Sequence, residues 1–161
     1  MAAIAEFMKV SPAQYAKDAP QGDYAQVTIP RRATAGSAGY DFVTPQPICL
    51  APGESCLVPT GIRARMEPSW VLLIFPRSGL GFKFRLQLNN TVGVIDSDYF
   101  NAENEGHIMI KLTNDSREDK TLTLAAGDRF CQGIFLPYGL AMEEDVTSQR
   151  TGGFGSTGKT L

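Results

Sequence analysis

The stretch Ile62-Arg-Ala-Arg-Met66 alternates strictly between apolar and charged side chains. Successive side chains of an extended chain point to opposite faces, so the three apolar residues share one face and the two arginines share the other. The stretch His107-Ile-Met-Ile-Lys-Leu-Thr113 repeats the pattern. Alternation with a period of two predicts half-buried β-strands rather than helices.

Short apolar segments of this kind recur along the chain, separated by turn signals every eight to twelve residues or so. Sixteen glycines and ten prolines mark these turns. The pattern predicts an all-β sandwich or barrel. Strands are predicted at residues 25–29, 40–43, 47–50, 55–58, 62–66, 70–75, 86–88, 91–95, 107–113, 121–124 and 130–137.

Helix is scarce, and two short helices are predicted. Residues 12–18 follow Ser11, a good N-cap, and begin with proline, which is favoured at the first helical position. Residues 77–82 form a second helical candidate. The first helix lies in an N-terminal extension, residues 1–24, which precedes a β domain at 25–148 and a glycine-rich arm at 149–161. The polar segment 114–120 is predicted to be a hairpin loop.

Composition limits the class of protein. The chain has 161 residues, a net charge of −2 and a pI of about 5.4, which predicts one domain that does not bind nucleic acid. Its longest apolar run, residues 70–75, is too short to cross a membrane. The first eight residues contain Glu6 and lack a basic region, unlike a signal peptide. Three cysteines without a Cys-x-x-Cys pair predict free thiols, with Cys49 and Cys131 buried, and a cytoplasmic location.

The arm ends in Arg150-Thr-Gly-Gly-Phe-Gly-Ser-Thr-Gly-Lys-Thr160. Residues 153–160 match the phosphate-loop template G-x-x-x-x-G-K-[ST], but only Leu161 follows, so the helix that this loop requires cannot form. Two interpretations remain open. One is a disordered tail, since termini fray readily. The other is a mobile arm that folds over a polyphosphate, with Phe154 stacked on a base.

Two carboxylates follow a predicted strand in Gly93-Val-Ile-Asp-Ser-Asp-Tyr99. Asp96 and Asp98 stand at positions i and i+2, so in an extended chain they point to the same side. Such a pair suits a divalent ion, or one carboxylate suits activation of a water molecule. The structural alternative is a polar turn at the end of a strand, where aspartate is common.

Three further groups of polar residues are candidates. Pro76-Arg-Ser-Gly-Leu-Gly81 offers glycine N–H groups, a hydroxyl and a guanidinium, which suit a phosphate. Asp41 follows a flexible turn, and Gln132 interrupts an apolar strand, where its amide needs a partner. The only histidine, His107, begins a predicted strand, so an exposed or hydrogen-bonded structural role fits it better than a catalytic triad.

These stretches, in this order, resemble the five motifs of the homotrimeric deoxyuridine triphosphate nucleotidohydrolases (dUTPases). The resemblance covers roughly residues 26–158. The matching stretches are Ala38-Gly-Tyr-Asp-Phe42, Pro76-Arg-Ser-Gly-Leu-Gly81, Gly93-Val-Ile-Asp-Ser-Asp-Tyr99, Gly127-Asp-Arg-Phe-Cys-Gln132 and Arg150-Thr-Gly-Gly-Phe-Gly-Ser-Thr-Gly158.

The resemblance implies a distorted jelly-roll barrel of short strands with one or two short helices and a swapped, flexible C-terminal arm. It implies a homotrimer with active sites at subunit interfaces. It also implies Mg²⁺-assisted hydrolysis of dUTP to dUMP and pyrophosphate, which keeps uracil out of DNA and supplies dUMP for dTMP synthesis.

The resemblance also assigns roles to residues. Asp96 matches the carboxylate that deprotonates the attacking water, and Tyr99 matches the ring that stacks under deoxyribose and excludes a 2′-hydroxyl. Asn90 matches the amide that reads uracil. The positions that line the nucleoside pocket, chiefly through backbone and packing, are Val94, Ile95 and Met109.

The phosphates and the metal have their own matches. Arg77, Ser78 and Gly79 resemble a phosphate cradle that a neighbouring subunit supplies. Asp41 and Gln132 resemble residues that hold the waters of a magnesium ion. The arm supplies an aromatic lid on uracil, Phe154, and a γ-phosphate clamp. The clamp residues are Arg150, Gly155, Ser156 and Thr157.

Two alternatives to the dUTPase hypothesis come from other functions. One is a related deoxycytidine triphosphate deaminase. The other is a nucleotide-gated regulatory protein that uses the same fold to bind a protein partner. The features that suit a partner are the N-terminal extension and residues 100–105, which resemble an insertion seen in some bacterial and phage members of the family.

Overall fold

The structure, a computed structural model, describes residues 3–142 and residue 152. Its strands are β1 Ala5–Lys9, β2 Arg31–Arg32, β3 Tyr40–Val43, β4 Ile48–Leu50, β5 Ser55–Pro59, β6 Ile62–Met66, β7 Trp70–Pro76, β8 Leu86–Leu88, β9 Gly93–Ile95, β10 Met109–Asn114, β11 Leu122–Leu124 and β12 Arg129–Pro137. Its helices are α1 Pro12–Asp18, α2 Ser78–Phe84 and the 3₁₀ helices Tyr24–Gln26 and Ser97–Asn101.

The strands form four small sheets. The largest has five strands in the order β2-β3-β12-β7-β9, and every pair in it is antiparallel. The others pair β5-β10-β8, β11-β4 and β1-β6. The sheets share one core, to which β7, β10 and β12 contribute fully buried side chains. This arrangement confirms the predicted jelly-roll-like β fold with two short helices.

The period-two pattern located most strands correctly. β3, β6 and β8 have the predicted bounds, and the two predicted helices are present, at Pro12–Asp18 and Ser78–Phe84. The strand predicted at residues 25–29 was wrong, because the Asp23 carboxylate accepts a hydrogen bond from the Ala25 N–H and begins a 3₁₀ helix there. β1 and β2 were not predicted.

The segment 114–120 is not a hairpin loop. β10 pairs with β5 and β8, whereas β11 pairs with β4, so the segment connects two different sheets. The side-chain amide of Asn114 is fully buried and donates to the carbonyls of Leu50 and Lys120, at 2.8 and 2.9 Å. The amide therefore holds the segment against the neighbouring sheet.

The cysteine predictions were partly right. Cys49, Cys56 and Cys131 are free thiols, and Cys131 is fully buried. Cys49 is exposed, contrary to the prediction, because it is the central residue of β4 and points away from Ile48 and Leu50. None of the helices in the described residues is long and apolar enough to cross a membrane.

The predicted N-terminal extension packs on the β domain. β1 pairs antiparallel with β6 along its whole length, with Ala5 opposite Met66 and Lys9 opposite Ile62. Helix α1 follows, and the Ser11 hydroxyl accepts a hydrogen bond from the Gln14 N–H at its first turn. A helix of seven residues is unstable alone, so α1 depends on its tertiary contacts.

Substitution of Gly61 is expected to destabilise the fold. Gly61 has a φ of +73°, and a Cβ there would lie 2.5 Å from a methyl carbon of the buried Val27. We expect Gly61→Ala to lower the free energy of unfolding by about 2–5 kcal/mol, from left-handed backbone strain and forced repacking. Urea denaturation measures this change.

Gly53→Ala is the matched control. Gly53 has a φ of +83°, but a Cβ added there would meet no heavy atom within 4 Å. Its substitution should therefore cost only the backbone strain, about 1–2 kcal/mol. Equal losses at the two positions would show that the contact with Val27 contributes nothing.

Candidate active site

A narrow apolar cleft lies between β7, β8, β9 and β10. The turn between β8 and β9 carries Asn90, which is exposed, at the mouth of this cleft. Ile95 from β9 and Met109 from β10 contribute two of its walls. The cleft is lined by Ile74, Leu88, Asn90, Gly93, Ile95, Ile108, Met109 and Ile110.

Three of the predicted nucleoside-binding residues therefore meet in one place. Val94 does not join them: it lies between two buried residues of β9 and is 57% exposed on the opposite face. Sequence reasoning did not identify Leu88 and Ile108 as part of the cleft. Alternation along their strands indicates burial, but it does not tell a core position from the wall of a cleft.

Asp96 and Tyr99 follow β9 directly. Asp96 precedes the 3₁₀ helix Ser97–Asn101 as its N-cap residue and is exposed. Tyr99 lies within that helix and is 3% exposed. Its hydroxyl donates to the His107 carbonyl at 2.7 Å and accepts from the Asn104 side-chain amide at 2.8 Å. The carboxylate is thus open to solvent, whereas the ring is held inside.

His107 is buried rather than exposed. It lies two residues before β10, and its ring bridges the Asp18 carboxylate of α1 and the Gly61 N–H at the start of β6. These contacts confirm a hydrogen-bonded structural histidine. The sequence places Asp18 and His107 far apart, so local pattern reasoning had no signal for this pairing.

The predicted phosphate cradle forms the turn from β7 into α2. Arg77 is the N-cap residue of α2, and no side chain caps the first turn. The first N–H groups of a helix lack partners within the helix, and here they belong to Ser78 and Gly79. With the half-exposed Arg77 guanidinium beside them, these groups can bind an anion.

Asp41 and Gln132 lie directly opposite each other on β3 and β12. One Asp41 oxygen is 3.2 Å from Arg77 Nε, and the other is 3.0 Å from an Arg129 terminal nitrogen. The Gln132 amide lies over Gly39, where a Cβ would be 2.5 Å from its oxygen, so only glycine allows this approach. The fold thus joins the first, second and fourth motifs at one end of the sheet.

Asp96 and this cluster lie at opposite ends of β7. Ile95 pairs with Leu72 and β9 runs antiparallel to β7, so Asp96 falls beside Val71, whereas Arg77 follows the far end of the strand. Six residues of extended chain span roughly 20 Å. That distance is several times the spacing between neighbouring phosphates of a triphosphate.

Five predicted site residues are not covered by these contacts. Arg150, Phe154, Gly155, Ser156 and Thr157 lie outside the described residues. Among the described residues, no three histidine, cysteine, aspartate or glutamate side chains lie together as a metal site.

Residues 100–105, which resemble an insertion, contact the N-terminal segment. Glu105 accepts hydrogen bonds from the Ser11 N–H and from the Ser11 hydroxyl, both at 2.7 Å. These bonds, with help from Arg63, lower the pKa of Glu105 below its ordinary value of 4.5. Arg63 stacks on the Phe100 ring at 3.6 Å and donates to the Phe100 carbonyl.

The Ser11–Glu105 contact is expected to make stability depend on acid pH. The pKa of Glu105 is lower in the folded protein than its ordinary value of 4.5, so the ionised carboxylate stabilises the fold above pH 4.5. This stabilisation is lost as the pH falls through the lower pKa of the folded state. We expect Glu105→Gln to lower the free energy of unfolding at pH 7 by about 1 kcal/mol. Chemical denaturation from pH 7 to pH 3 should show this difference shrinking below pH 4.5, and a constant difference would contradict the assignment.

Comparison with known proteins identifies the family. A family model described as dUTPase matches residues 25–158. The deoxyuridine 5′-triphosphate nucleotidohydrolase of Lactococcus lactis subsp. lactis is 43% identical over 137 residues, covering 83% of this chain and 90% of the relative. The enzyme of the same name from Glaesserella parasuis is 40% identical over 139 residues, covering 81% and 87%.

Solved structures of known proteins support the same family. The crystal structure of dUTPase from Streptococcus mutans superposes with a TM-score of 0.67 at 38% identity, covering 84% of this chain and 97% of that one. The dUTPase of Staphylococcus bacteriophage 80alpha reaches a TM-score of 0.67 at 20% identity, covering 98% and 99%, and so shares the fold. On these matches and on the ordered motifs, the chain belongs to the dUTPase family of nucleotide hydrolases.

Proposed function

We propose that this chain hydrolyses dUTP to dUMP and pyrophosphate. The observation that carries the proposal is the placement of Asp96 directly after β9, whose Ile95 lines the apolar cleft together with Asn90 and Met109. The cleft has a volume of only about 10 Å³, so it must open to admit a base. Its apolar walls and the one amide at its mouth suit an uncharged base, and a solvent-exposed carboxylate beside it can act on water.

The base is recognised by Asn90. A side-chain amide carries both a donor and an acceptor, so it can pair with the O4 and N3–H edge of uracil, which cytosine presents differently. A site built to pair with those atoms rejects a base that leaves its polar groups without partners. The Tyr99 ring lies under deoxyribose in this proposal and leaves no room for a 2′-hydroxyl.

Asp96 is the general base. Its carboxylate accepts a proton from a water molecule as the water oxygen bonds to the α-phosphorus. The bond from the α-phosphorus to the bridging oxygen breaks, and pyrophosphate leaves with that oxygen. dUMP keeps the new oxygen. This chemistry needs positioning and charge neutralisation more than covalent catalysis.

The phosphates are held by Arg77 and the first turn of α2, where Ser78 and Gly79 supply N–H groups and a hydroxyl. Asp41 and Gln132 would hold the water shell of a magnesium ion rather than the ion itself, because the Asp41 oxygens pair with Arg77 and Arg129, and one carboxylate and one amide are too few ligands for direct coordination. When bound, Mg²⁺ neutralises charge on the phosphate oxygens.

The proposal requires an oligomer. The separation of roughly 20 Å along β7 between Asp96 and Arg77 means that the two groups act on one substrate only if they come from different chains. A homotrimer with three equivalent interfaces provides this, and the arm, with Phe154 as a lid and its clamp residues, would close each site.

The test is pyrophosphate release from dUTP in the presence of magnesium, with dTTP, dCTP and UTP alongside. We expect selective turnover of dUTP. Ammonia release from dCTP without pyrophosphate from dUTP would instead identify a deaminase. Absence of turnover with retained dUTP binding would favour the regulatory alternative.

A further inference from the structure

The hydroxyl of Tyr99 is held from two sides inside the protein. It donates to the His107 carbonyl and accepts from the Asn104 side-chain amide, at 2.7 and 2.8 Å. Asn104 is itself held, because its side-chain oxygen accepts from the Gly106 N–H at 3.2 Å. A buried hydroxyl with both a fixed donor and a fixed acceptor has one preferred orientation, and this orientation sets the plane of the ring.

His107 is in turn held by its own ring. The Gly61 N–H donates to Nε2 at 2.8 Å, so Nε2 carries a lone pair and the neutral ring carries its hydrogen on Nδ1. Nδ1 then donates to the Asp18 carboxylate at 2.6 Å. The side chain has no exposed surface, so it cannot move without breaking both bonds. Fixing the ring also fixes the carbonyl that Tyr99 uses.

The N-terminal segment completes this arrangement. Asp18 is the last residue of α1, and its Oδ2 also accepts from the Gln14 amide at 2.7 Å. The other end of α1 is tied to Glu105 through Ser11. Both ends of the helix therefore contact the loop that runs from Tyr99 to His107.

We propose that Asp18, His107 and Asn104 are positioning residues for Tyr99, and that the N-terminal segment thereby sets the preference for a deoxyribonucleotide over a ribonucleotide. The inference rests on the proposed role of the Tyr99 ring beneath the sugar. A ring that excludes a hydroxyl by contact must stay in place, since a small displacement opens room for one more oxygen atom.

The experiment compares kcat and KM for dUTP and UTP in four variants. Tyr99→Phe keeps the ring and removes the hydroxyl, Asn104→Ala removes the donor, and Asp18→Ala removes the acceptor of His107. Each is expected to lower the ratio of kcat/KM for dUTP to that for UTP about three- to tenfold, mainly through a lower KM for UTP, because a displaced ring admits the 2′-hydroxyl. Asp18→Asn keeps an acceptor oxygen and should retain most of the ratio.

Glu6→Gln is the matched control. Glu6 lies in β1 and pairs with Arg65 on the surface at 2.8 Å, so its change perturbs the same N-terminal segment away from Tyr99. It should leave the ratio unchanged. The double variant Tyr99→Phe with Asn104→Ala should lose no more of the ratio than Tyr99→Phe alone, because Tyr99→Phe already removes the bond that Asn104 donates.

Two results separate this inference from the proposed function. If the wild type hydrolyses dUTP selectively but the variants lose activity equally on dUTP and UTP, the contacts stabilise the fold only and the inference is overturned. If the wild type does not select dUTP, the proposed function fails instead. Thermal unfolding checks that each variant is folded. Should Asp18→Ala not fold, Tyr99→Phe, which alters one atom, decides the outcome.

Discussion

Replacing Asp96 by asparagine is expected to lower kcat for dUTP by about two to four powers of ten. The amide has the shape of the carboxylate but cannot accept a proton from water at neutral pH. Asp96 is exposed and stands at the N-cap of a 3₁₀ helix, and thermal unfolding checks that the variant keeps the fold. Pyrophosphate release under saturating dUTP measures kcat, and binding of a non-hydrolysable dUTP analogue should be retained.

Asp98→Asn is the matched control for this prediction. Asp98 is exposed and lies in the same 3₁₀ helix, and its substitution removes the same charge. We expect it to change kcat less than tenfold, because the effect of a nearby exposed charge is small and screened by salt. A comparable loss in both variants would mean that the charge of the turn matters rather than a single general base.

The second large effect is the recovery of activity from two inactive variants. Arg77→Gln removes a charged phosphate ligand and should lower kcat/KM by about two to three powers of ten. Co-expressed in equal amounts with Asp96→Asn, it should form mixed oligomers. If each site takes Asp96 from one chain and Arg77 from another, about a quarter of the sites have both residues intact. Activity should therefore rise from near zero to about a quarter of the wild-type value.

The control places both substitutions in one chain and co-expresses it with the wild type. A site shared between chains again predicts about a quarter of the wild-type activity, since each residue is intact in half of its positions. A site within one chain predicts about half in the control and none in the mixture of single variants. That second pair of values would falsify the shared site and the distance argument along β7.

The sequence predicts the strands where one side of a strand is buried, because alternation then marks both the strand and its inner face. The prediction fails where side chains outside the predicted strand determine the local structure. No strand forms at residues 25–29, because the Asp23 carboxylate caps a 3₁₀ helix there. No hairpin forms at 114–120, because the buried Asn114 amide holds this segment against another sheet. β1 was missed because its burial does not alternate cleanly.

The candidate site likewise has features that the sequence predicts and features that depend on distant side chains. The resemblance groups Asp41 and Gln132 as residues that hold the waters of a magnesium ion, and they lie opposite each other on β3 and β12, while that shared role stays a prediction. The surroundings of Tyr99 could not be predicted, because Asp18 and His107 are 89 positions apart and neither lies in a motif. The division of the chain at residues 24 and 148 and the roles of the arm residues stay predictions.

The contact between Ser11 and Glu105 also constrains how the chain matures on the ribosome. The two residues are 94 positions apart, so at about 5–20 residues per second the partner of the first helix is made about 5–20 s after the helix itself. During that interval the seven-residue helix lacks its contacts with Glu105 and His107, and a helix of this length is unstable alone. Helix α1 is therefore among the last parts to become ordered, and nascent chains that stop before residue 105 expose it to proteases and chaperones.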